Sequence, residues 1–401
     1  MRIAYVVPYV PSPIRTRAYN LISYLGQLGH EVYVFTLGSN SEDLQNAQVL
    51  RAKCKAVYYE DHPIWRSLLD SVFAVPSQRP LQSVYSWNAK IAGNFSQEIS
   101  RKRCDIIHVE HLRGSRYAEY LKSEFPNTPV IWDSVDCITH LFRQAMHHST
   151  SFFGKFMTRF ELARTESAEG KLISEFNGVL VTSDADRDAL LKLVEPGRQK
   201  PRMSVLPNGV DLEYFYPNPN VKPESGNIVF SGKMSYHANV SMAQYLVHEI
   251  MPLVWNEFPS AHLYIVGKDP PQAIRKLGQN PRIIVTGTVE DIRPYLWRAK
   301  VAVVPMLYGA GIQNKVLEAM AVGTPVVTTP RAFSALNAER GNDILVANDP
   351  SPFSRLVIQM LEDQDQRQTI SDAGTTYVRL HHQWSKIAYD LVKIYEQCLR
   401  N

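Results

Sequence analysis

Residues 303–327 read VVPMLYGAGIQNKVLEAMAVGTPVV and combine an apolar run, a loop with two glycines, an amphipathic stretch and a second apolar run. The two apolar runs are short and rich in β-branched residues, which favours strands. Residues 314–322 have apolar positions at helical spacing, and Gly323 follows as a helix terminator. A strand, a helix and a strand in this order predict a βαβ unit and therefore a parallel sheet.

The loop and the start of this helix carry residues suited to a phosphate. Gly309 and Gly311 allow the backbone to approach a ligand closely, and a helix N-terminus offers amide groups and a positive dipole end. Lys315 in the first turn would add a full positive charge, and Glu318 shares its face. A carboxylate there can accept hydrogen bonds from two ribose hydroxyls. A plain surface ion pair beside a turn is the alternative, and the residues alone leave both interpretations open.

The same alternation of apolar runs and helical stretches continues on both sides of a loop at 207–227, which is rich in Pro, Asn and Gly. We therefore predict two doubly wound α/β domains, at 1–205 and 206–382, and a C-terminal helix within 383–401 that is free to pack on the first domain. Ligands bind beyond the carboxyl ends of such strands. Two facing sheets predict a deep cleft for a donor and an acceptor. The predicted strands are 3–7, 31–37, 104–110, 128–134, 177–183, 228–232, 262–267, 283–287, 301–306, 325–329 and one near 343–348.

Composition excludes several classes of protein. The 401 residues are 45% apolar and 20% charged, which excludes a disordered or coiled-coil chain. A net charge of +4 is too small to indicate a nucleic-acid-binding protein. Four widely separated cysteines without a C-x-x-C pair predict reduced thiols and a cytoplasmic location. We expect neither a signal peptide nor a membrane span.

The segment KVLEAMAVGTPVV (315–327) resembles the signature of retaining glycosyltransferases of family 4, also called glycosyl transferases group 1. LPNGVDLEYF (206–215), IVFSGKM (228–234) and VTGTVEDIRPYLWRAKVAVVPM (285–306) are similar to further family segments in the same order. The resemblance implies the GT-B architecture, with two Rossmann-like domains. It also implies transfer of a sugar, with retention, from a UDP- or GDP-linked donor to a hydroxyl acceptor.

By this resemblance, Glu318 should hold the ribose of the nucleotide. The family's other signature glutamate would fall at position 310, where this chain has Ala310. This departure puts sugar recognition in doubt. The nucleotide base is expected to meet backbone groups near Thr288 and Val289. The backbone groups expected to replace the missing glutamate are those of Gly311, Ile312, Gln313 and Asn314.

The resemblance also predicts how the diphosphate is bound. Lys233, directly after Gly232 at a strand end, matches the family's first basic residue. The second basic residue is missing from the run KMSYHANV, and we expect Lys315 to supply its charge instead. A helix N-terminus and two lysines can neutralise a leaving diphosphate without a metal ion. No other cofactor is expected.

Candidate acceptor residues lie in the first domain. Arg15 and Arg17 follow the first strand and are suited to a charged acceptor. Asp133 and Asp136 follow another strand, and one of them is expected to orient the acceptor hydroxyl or the sugar, with capping as an equal alternative. His111 lies past a strand end and is expected to reach the cleft.

The pair Asp184 and Asp186 forms D-x-D, a metal motif of another glycosyltransferase fold. Here it stands between a predicted strand and a helix, so we expect Ser183 or Asp184 to be a helix N-cap. The sequence therefore predicts no metal site.

Residues 51–103 hold nine basic and four acidic side chains, and they include the segments WRSLLDSVFAV (65–75) and RPLQSVYSW (79–87). The segment FFGKFMTRFELAR (152–164) would place Phe153, Phe156, Met157 and Phe160 on one helical face among basic residues. This composition fits an interfacial helix on anionic lipid and equally an ordinary amphipathic core helix. A peripheral position on the inner face of the cell membrane would suit a lipid-linked or envelope glycan acceptor in polysaccharide biosynthesis.

Two other functions remain open at this stage. A catalytically silent nucleotide-sugar-binding protein is favoured by Ala310 alone. A GT-B epimerase would need positioned acid and base residues, and a phosphorylase would need a pyridoxal-phosphate lysine or a phosphate pocket. The sequence displays neither pattern.

Overall fold

The computed structural model describes residues 1–74, 76–148, 152–194, 202–309 and 311–400, without the side chains of 147, 148 and 152–156. The chain divides into two compact units. Unit 1 comprises Met1–Asn208 together with Trp384–Asn401, and unit 2 comprises Gly209–Gln383. The division lies three residues beyond the predicted boundary at 205, and the last helix belongs to unit 1.

In the described part of unit 1, seven parallel strands form one sheet in the order β3-β2-β1-β4-β5-β6-β7. β1 pairs with both β2 and β4, so the direction of winding reverses beside it. The central strands are buried along nearly their whole length, which explains their continuous apolar sequences. The strands are β1 (Arg2–Val7), β2 (Glu31–Gly38), β3 (Ala56–Asp61), β4 (Ile106–Glu110), β5 (Val130–Val135), β6 (Gly178–Val181) and β7 (Met203–Val205).

Helices connect these strands and cover the sheet. In α1, Ala18, Leu21, Ile22 and Leu25 are buried at helical spacing, as their sequence pattern predicts. Ser183 caps α9 by accepting a hydrogen bond from the backbone of Asp186. The helices are α1 (Thr16–Gln27), α2 (Ser41–Leu50) with a 3-10 turn (Arg51–Lys53), α3 (Ile64–Phe73), α4 (Leu81–Tyr85), α5 (Ala89–Lys102), α6 (His111–Glu124), α7 (Ile138–His148), α8 (Phe152–Leu172) and α9 (Asp184–Leu191).

In the described part of unit 2, six parallel strands form a second sheet in the order β10-β9-β8-β11-β12-β13. A single large hydrophobic core surrounds this sheet. The strands are β8 (Asn227–Ser231), β9 (His262–Val266), β10 (Ile283–Gly287), β11 (Val301–Val304), β12 (Val326–Thr328) and β13 (Leu345–Val346). The helices are α10 (His237–Tyr245), continued by a π-helical turn (Leu246–Ile250), α11 (Met251–Glu257), α12 (Gln272–Leu277), α13 (Arg293–Arg298), α14 (Asn314–Ala321), α15 (Pro330–Phe333), α16 (Pro350–Glu362) and α17 (Gln364–His381).

The C-terminal helix α18 (Trp384–Leu399) packs against α1 in unit 1. Its apolar face enters the core that contains residues of β1 and β2. Trp384 is 1% exposed and Tyr395 is fully buried. The Tyr395 hydroxyl lies 2.8 Å from Nδ1 of His108 in β4, so the helix also reaches a polar group of the sheet.

The sequence-based membrane candidate at 152–164 falls partly outside the described side chains, including Phe153, Lys155 and Phe156. Of the described residues, Phe160 lies under the guanidinium group of Arg164, 3.9 Å from the ring centre. None of the described helices combines the length and apolarity that crossing a membrane requires.

We expect Trp384→Ala to lower the free energy of unfolding of unit 1 by about 3–5 kcal/mol, because it leaves a large cavity against α1. Tyr389→Ala on the exposed face of the same helix, where Tyr389 is 53% exposed, should change it by less than about 0.5 kcal/mol. Urea unfolding followed by circular dichroism measures both. Equal stabilities of the two variants would contradict the packing of α18.

Candidate functional site

At the carboxyl edge of the sheet in unit 2, the glycines that follow β8 and β9 are in close contact. Gly232 follows β8, and its N–H donates to the Val266 carbonyl at 3.0 Å. Gly267 follows β9, and its N–H donates to the Gly287 carbonyl at 3.2 Å. A Cβ atom on Gly267 would lie 1.7 Å from the carbonyl oxygen of Gly232, and φ is +155° at Gly267 and +145° at Gly232. Glycine is therefore required where these two loops touch.

An asparagine from α10 connects this edge to α14. Nδ2 of Asn239 donates to the carbonyl oxygen of Lys233 at 2.8 Å, and its Oδ1 accepts a hydrogen bond from Nζ of Lys315. A Cβ atom on Gly232 would lie 2.8 Å from Nδ2 of Asn239 and 3.3 Å from Nζ of Lys315. The side chain of Lys233 is exposed. The structure thus places the backbone of Gly232 and Lys233 next to the side chains of Asn239 and Lys315.

Lys315 and Glu318 are both half-buried and lie one turn apart on α14. Burial lowers the pKa of Lys315 to about 8, although the charge of Glu318 opposes the shift. Burial raises the pKa of Glu318 to about 7, and Lys315 opposes this shift in turn. The ring of Phe230 lies 5.1 Å from Nζ of Lys315 and favours its charged form. Both groups therefore change charge close to neutral pH.

The loop before α14 has strict backbone requirements. At Gly309 φ is +150°, and a Cβ atom there would overlap the side chain of Met306. At Gly311 φ is +67°, and Ile312 anchors the loop in the hydrophobic core. Ala310 lies outside the described residues. The positions predicted to contact the sugar lie where the loop ends and α14 begins, next to the positive end of the helix dipole. They are Gly311, Ile312, Gln313 and Asn314.

A cavity of about 520 Å³ runs along β10, from Ile283 at its start to Gly287 at its carboxyl end. Thr288 lines it together with Gly287, Asp269 and Arg275. The side chain of Val289 packs partly against the core instead. Since β10, β9 and β8 are neighbouring parallel strands, this cavity belongs to the same edge of the sheet as Gly232.

The structure adds residues that the sequence-based prediction did not assign. In the sequence analysis, Asn239 belonged only to a run that lacks the second basic residue. In the structure its side chain accepts a hydrogen bond from Lys315. Nδ1 of His237 lies 2.8 Å from the hydroxyl of Tyr308, and Ser241 Oγ lies 3.2 Å from the same hydroxyl. These contacts join the start of α10 to the loop after β11. The sequence contains no local signal for them, because the partners are about seventy residues apart.

In unit 1, Asp133 of β5 is fully buried and binds Arg17 through Oδ2, at 2.9 Å from Nε and 2.7 Å from Nη2. Burial by itself raises the pKa of Asp133, but the charge of Arg17 and a contact from His108 hold it at about 2. Nη1 of Arg17 donates to the carbonyl of Leu206 and to Oδ1 of Asn208, each at 3.0 Å. Arg17, predicted to meet an acceptor, therefore faces inward. Both side chains are buried, so neither is exposed to an acceptor in solvent.

His108 and Glu110 extend this network. Glu110 is buried and accepts hydrogen bonds from the hydroxyls of Tyr5, at 2.8 Å, and Tyr9. Burial and the charge of Asp133 raise the pKa of Glu110. Potential ligand atoms of His108, Glu110 and Asp133 lie within 4.8 Å of one another, a spacing that a metal ion could use. The guanidinium of Arg17 already binds the Asp133 oxygen nearest to His108, so this donor set fits an ion-pair network better than a metal.

His111 begins α6 with a φ of +68°, an unusual conformation for a residue other than glycine. Its Nδ1 accepts a hydrogen bond from the backbone of Arg113 at 3.3 Å. Burial and the charge of Arg113 lower the pKa of His111 to about 4, so the ring is neutral at pH 7. His111 follows β4 and Asp133 lies in the neighbouring β5, with Glu110 and Asp133 in register. The structure therefore brings these two predicted residues to one edge of the sheet.

Asp136 and Arg15 lie nearer the surface of unit 1. Asp136 accepts a hydrogen bond from Oγ1 of Thr182 at 3.1 Å, and burial together with the charge of Asp186 raises its pKa to about 7. The side chain of Arg15 is 45% exposed and lies 3.4 Å from Oδ1 of Asp43. Arg15 is exposed and Asp136 is half-buried.

Comparison with known proteins identifies the family. Residues 14–214, half of the chain, match the family described as Glycosyltransferase Family 4. Residues 225–363 match the family described as Glycosyl transferases group 1. The chain is a family 4 glycosyltransferase. The first match begins after β1 and spans β2 to β7 of unit 1, and the second spans β8 to β13 of unit 2.

The glycosyltransferase resembles solved GT-B structures over nearly its full length. Sucrose-phosphate synthase from Thermosynechococcus elongatus gives a TM-score of 0.70 at 17% identity, with 99% of this chain and 98% of that chain covered. HepE from Anabaena in complex with UDP-glucose gives 0.69 at 13% identity, covering 99% and 100%. A phosphatidyl-myo-inositol mannosyltransferase from Mycobacterium leprae is 26% identical over 201 residues, 48% of this chain and 52% of the relative. The GT-B fold predicted from sequence is confirmed.

We expect Gly267→Ala in this glycosyltransferase to lower the melting temperature of unit 2 strongly or to prevent its folding, because the new Cβ would overlap the backbone of Gly232. Gly93→Ala is the matched control, since no atom lies within 4 Å of its new Cβ and the residue is inside α5. It should be neutral or stabilising by up to about 1 kcal/mol. Differential scanning calorimetry measures both. A Gly267→Ala protein that melts like the wild type would refute the close approach.

Proposed function

We propose that the protein transfers a sugar, with retention of configuration, from a nucleotide-diphosphate sugar to a hydroxyl of a saccharide or lipid-linked glycan in polysaccharide biosynthesis. The observation that carries this proposal is the position of the Lys315 amino group. It is held by Asn239 against the Gly232 loop, in the first turn of α14. A cation and a helix N-terminus at a glycine loop form an arrangement suited to a diphosphate.

A UDP-linked hexose is the donor we favour, with a GDP-linked sugar as the alternative. HepE, of the same fold, binds UDP-glucose, and the mycobacterial relative is named as a mannosyltransferase. Glu318 would accept hydrogen bonds from the ribose hydroxyls. The cavity beside Thr288 would receive the base, with backbone groups of Thr288 and Val289 as its partners.

The chemistry follows from charge. As the glycosidic bond to the donor phosphate breaks, negative charge grows on the diphosphate. Lys315, Lys233 and the α14 dipole would stabilise that charge, so the proposed reaction needs no divalent cation. The leaving phosphate would accept the proton of the acceptor hydroxyl, and the acceptor would attack from the same face of the sugar.

Unit 1 would bind the acceptor. His111 is neutral at pH 7 and can exchange hydrogen bonds with a hydroxyl, and Asp136 can accept one when ionised. Arg15 would meet a charged group of the acceptor. We place the protein in the cytoplasm, peripherally on the inner face of the cell membrane, where lipid-linked acceptors are found.

We expect Glu318→Ala to weaken donor binding about 10- to 100-fold, because it removes charge-assisted hydrogen bonds. Lys315→Ala should instead lower kcat about 100- to 1000-fold, because the diphosphate charge grows in the transition state. Calorimetric titration with UDP-sugars and GDP-sugars, and nucleotide release with excess EDTA, measure the two effects. The controls are Glu362→Ala and Lys386→Ala, both on exposed helix surfaces.

Tight binding of a nucleotide sugar without release of nucleotide would identify a binding protein instead of a transferase. Normal donor affinity in Glu318→Ala would exclude the ribose contact. Loss of wild-type activity in EDTA would refute the metal-independent mechanism.

The pH dependence follows from the same pair. Below about pH 7 Glu318 is protonated and accepts weaker hydrogen bonds from the ribose, and above about pH 8 Lys315 loses its charge. We expect kcat/KM for the donor to be highest between these values and to fall on both sides. Glu318→Gln should flatten the acidic limb, and Lys315→Arg should move the basic limb upward, since arginine stays charged. Unchanged limbs in both variants would assign the profile to other groups, such as Asp136.

A further inference from the structure

Helix α3 of unit 1 exposes its apolar side chains and buries a polar one. Its one buried residue is Ser67, at 1% exposed, whereas its large apolar side chains face outward. A third of the large apolar side chains that the described chain exposes lie in these ten residues. They are Ile64 (52%), Trp65 (63%), Leu68 (56%), Leu69 (49%), Val72 (66%) and Phe73 (79%).

The spacing of these residues makes one continuous face, which we call the α3 apolar face. At about 100° per residue, positions 64, 65, 68, 69, 72 and 73 cover about half of the helix circumference. Ser67 and Asp70 fall on the opposite side, which packs towards α4. An amphipathic helix of a soluble domain normally turns its apolar face to the core. A face of this kind turned outward indicates an interaction surface.

Basic side chains border the α3 apolar face. A cavity of about 500 Å³ beside it is lined by Arg66, Arg79, Lys90 and Arg116, with Asp70 as the acidic member. Arg66 and Lys90 are exposed. Arg79 pairs with Glu119 at 3.3 Å, and the guanidinium of Arg116 lies 4.5 Å from the ring centre of Trp87. Four basic side chains and one acidic side chain therefore leave the border positive.

We propose that the α3 apolar face docks on an anionic lipid bilayer. Its six large side chains would enter the boundary between head groups and acyl chains, and the basic border would bind lipid phosphates. This inference extends the proposed function, because it names the element that would bring unit 1 to a membrane-bound acceptor. It places the membrane contact on α3, within the basic stretch 51–103, and the segment at 152–164 stays a separate prediction.

Two features favour a bilayer over a second copy of the chain. In a twofold dimer the same patch meets itself, so the basic border of one copy would face that of the other. A ten-residue helix is also only about 15 Å long. Its single face is small beside the roughly 800 Å² per partner of a typical stable protein interface. Docking on an anionic bilayer requires only the apolar face and a positive border that meets the lipid phosphates.

The test is co-sedimentation of the full chain with vesicles of phosphatidylcholine alone and of phosphatidylcholine mixed with phosphatidylglycerol. We expect binding to the mixed vesicles at low salt, weaker binding to neutral vesicles, and a loss of affinity as salt rises. The double variant Trp65→Gln/Phe73→Gln should reduce the partition coefficient at least about tenfold. Arg66→Gln/Lys90→Gln should reduce it about fivefold for each charge.

The matched control is Leu380→Gln/Tyr389→Gln, which changes two side chains of similar exposure, 59% and 53%, on other helices. It should bind vesicles like the wild type. Melting temperatures of all variants should agree, because every substituted side chain is at the surface. Nucleotide release from the donor in solution should also be unchanged in the α3 variants.

Absence of wild-type binding to anionic vesicles at low salt would overturn the proposal. Equal binding of Trp65→Gln/Phe73→Gln and the control would overturn the role of α3. A dimer in light scattering that the α3 substitutions convert to monomers, without vesicle binding, would assign the face to a second copy and overturn the bilayer. Glu318→Ala should still bind vesicles, so a failure of the transferase proposal is distinguishable from a failure of this one.

Discussion

The close approach of Gly232 and Gly267 is the constraint on which the site in unit 2 depends. Two loops at the ends of adjacent parallel strands touch so closely that a Cβ atom on Gly267 would overlap the backbone of Gly232. Space remains beside Gly232 for the amide of Asn239 and the amino group of Lys315, and Asn239 holds both the loop and the lysine. A larger residue at either glycine would displace the groups that can meet an anion.

Burial then sets the chemistry of α14. Removing Lys315 and Glu318 partly from water disfavours the charged form of each, and their mutual attraction only partly compensates. The result is a lysine and a glutamate with pKa values close together near neutrality. A bound nucleotide diphosphate would favour the protonated lysine, so ligand charge and protein charge are coupled at this position.

Unit 1 uses buried charge differently. Asp133, Arg17 and His108 form an internal network that joins β5, α1 and β4 to the segment 206–208. Such a network is expensive to break, because each unpaired group would remain buried. α18 contributes to it through Tyr395, so the last helix of the chain is linked to the sheet by polar contacts as well as by packing.

The fold followed from local sequence patterns, and the proposal of an anion site at the start of α14 rests on the same patterns. Continuous apolar runs with helical stretches between them predict parallel sheets, and a glycine loop before a helix predicts an anion site, because both depend on neighbouring residues. The partners of Lys315, the inward direction of Arg17 and the outward apolar face of α3 did not follow. Asn239 and Lys315 are 76 residues apart, and Arg17 and Asp133 are 116 apart. The α3 sequence has the amphipathic pattern of a core helix, and only the packing of Ser67 against the protein decides which side meets water. Sequence thus specifies periodicity and backbone freedom, whereas the pairing of distant groups and the direction of a helical face arise only when the chain packs.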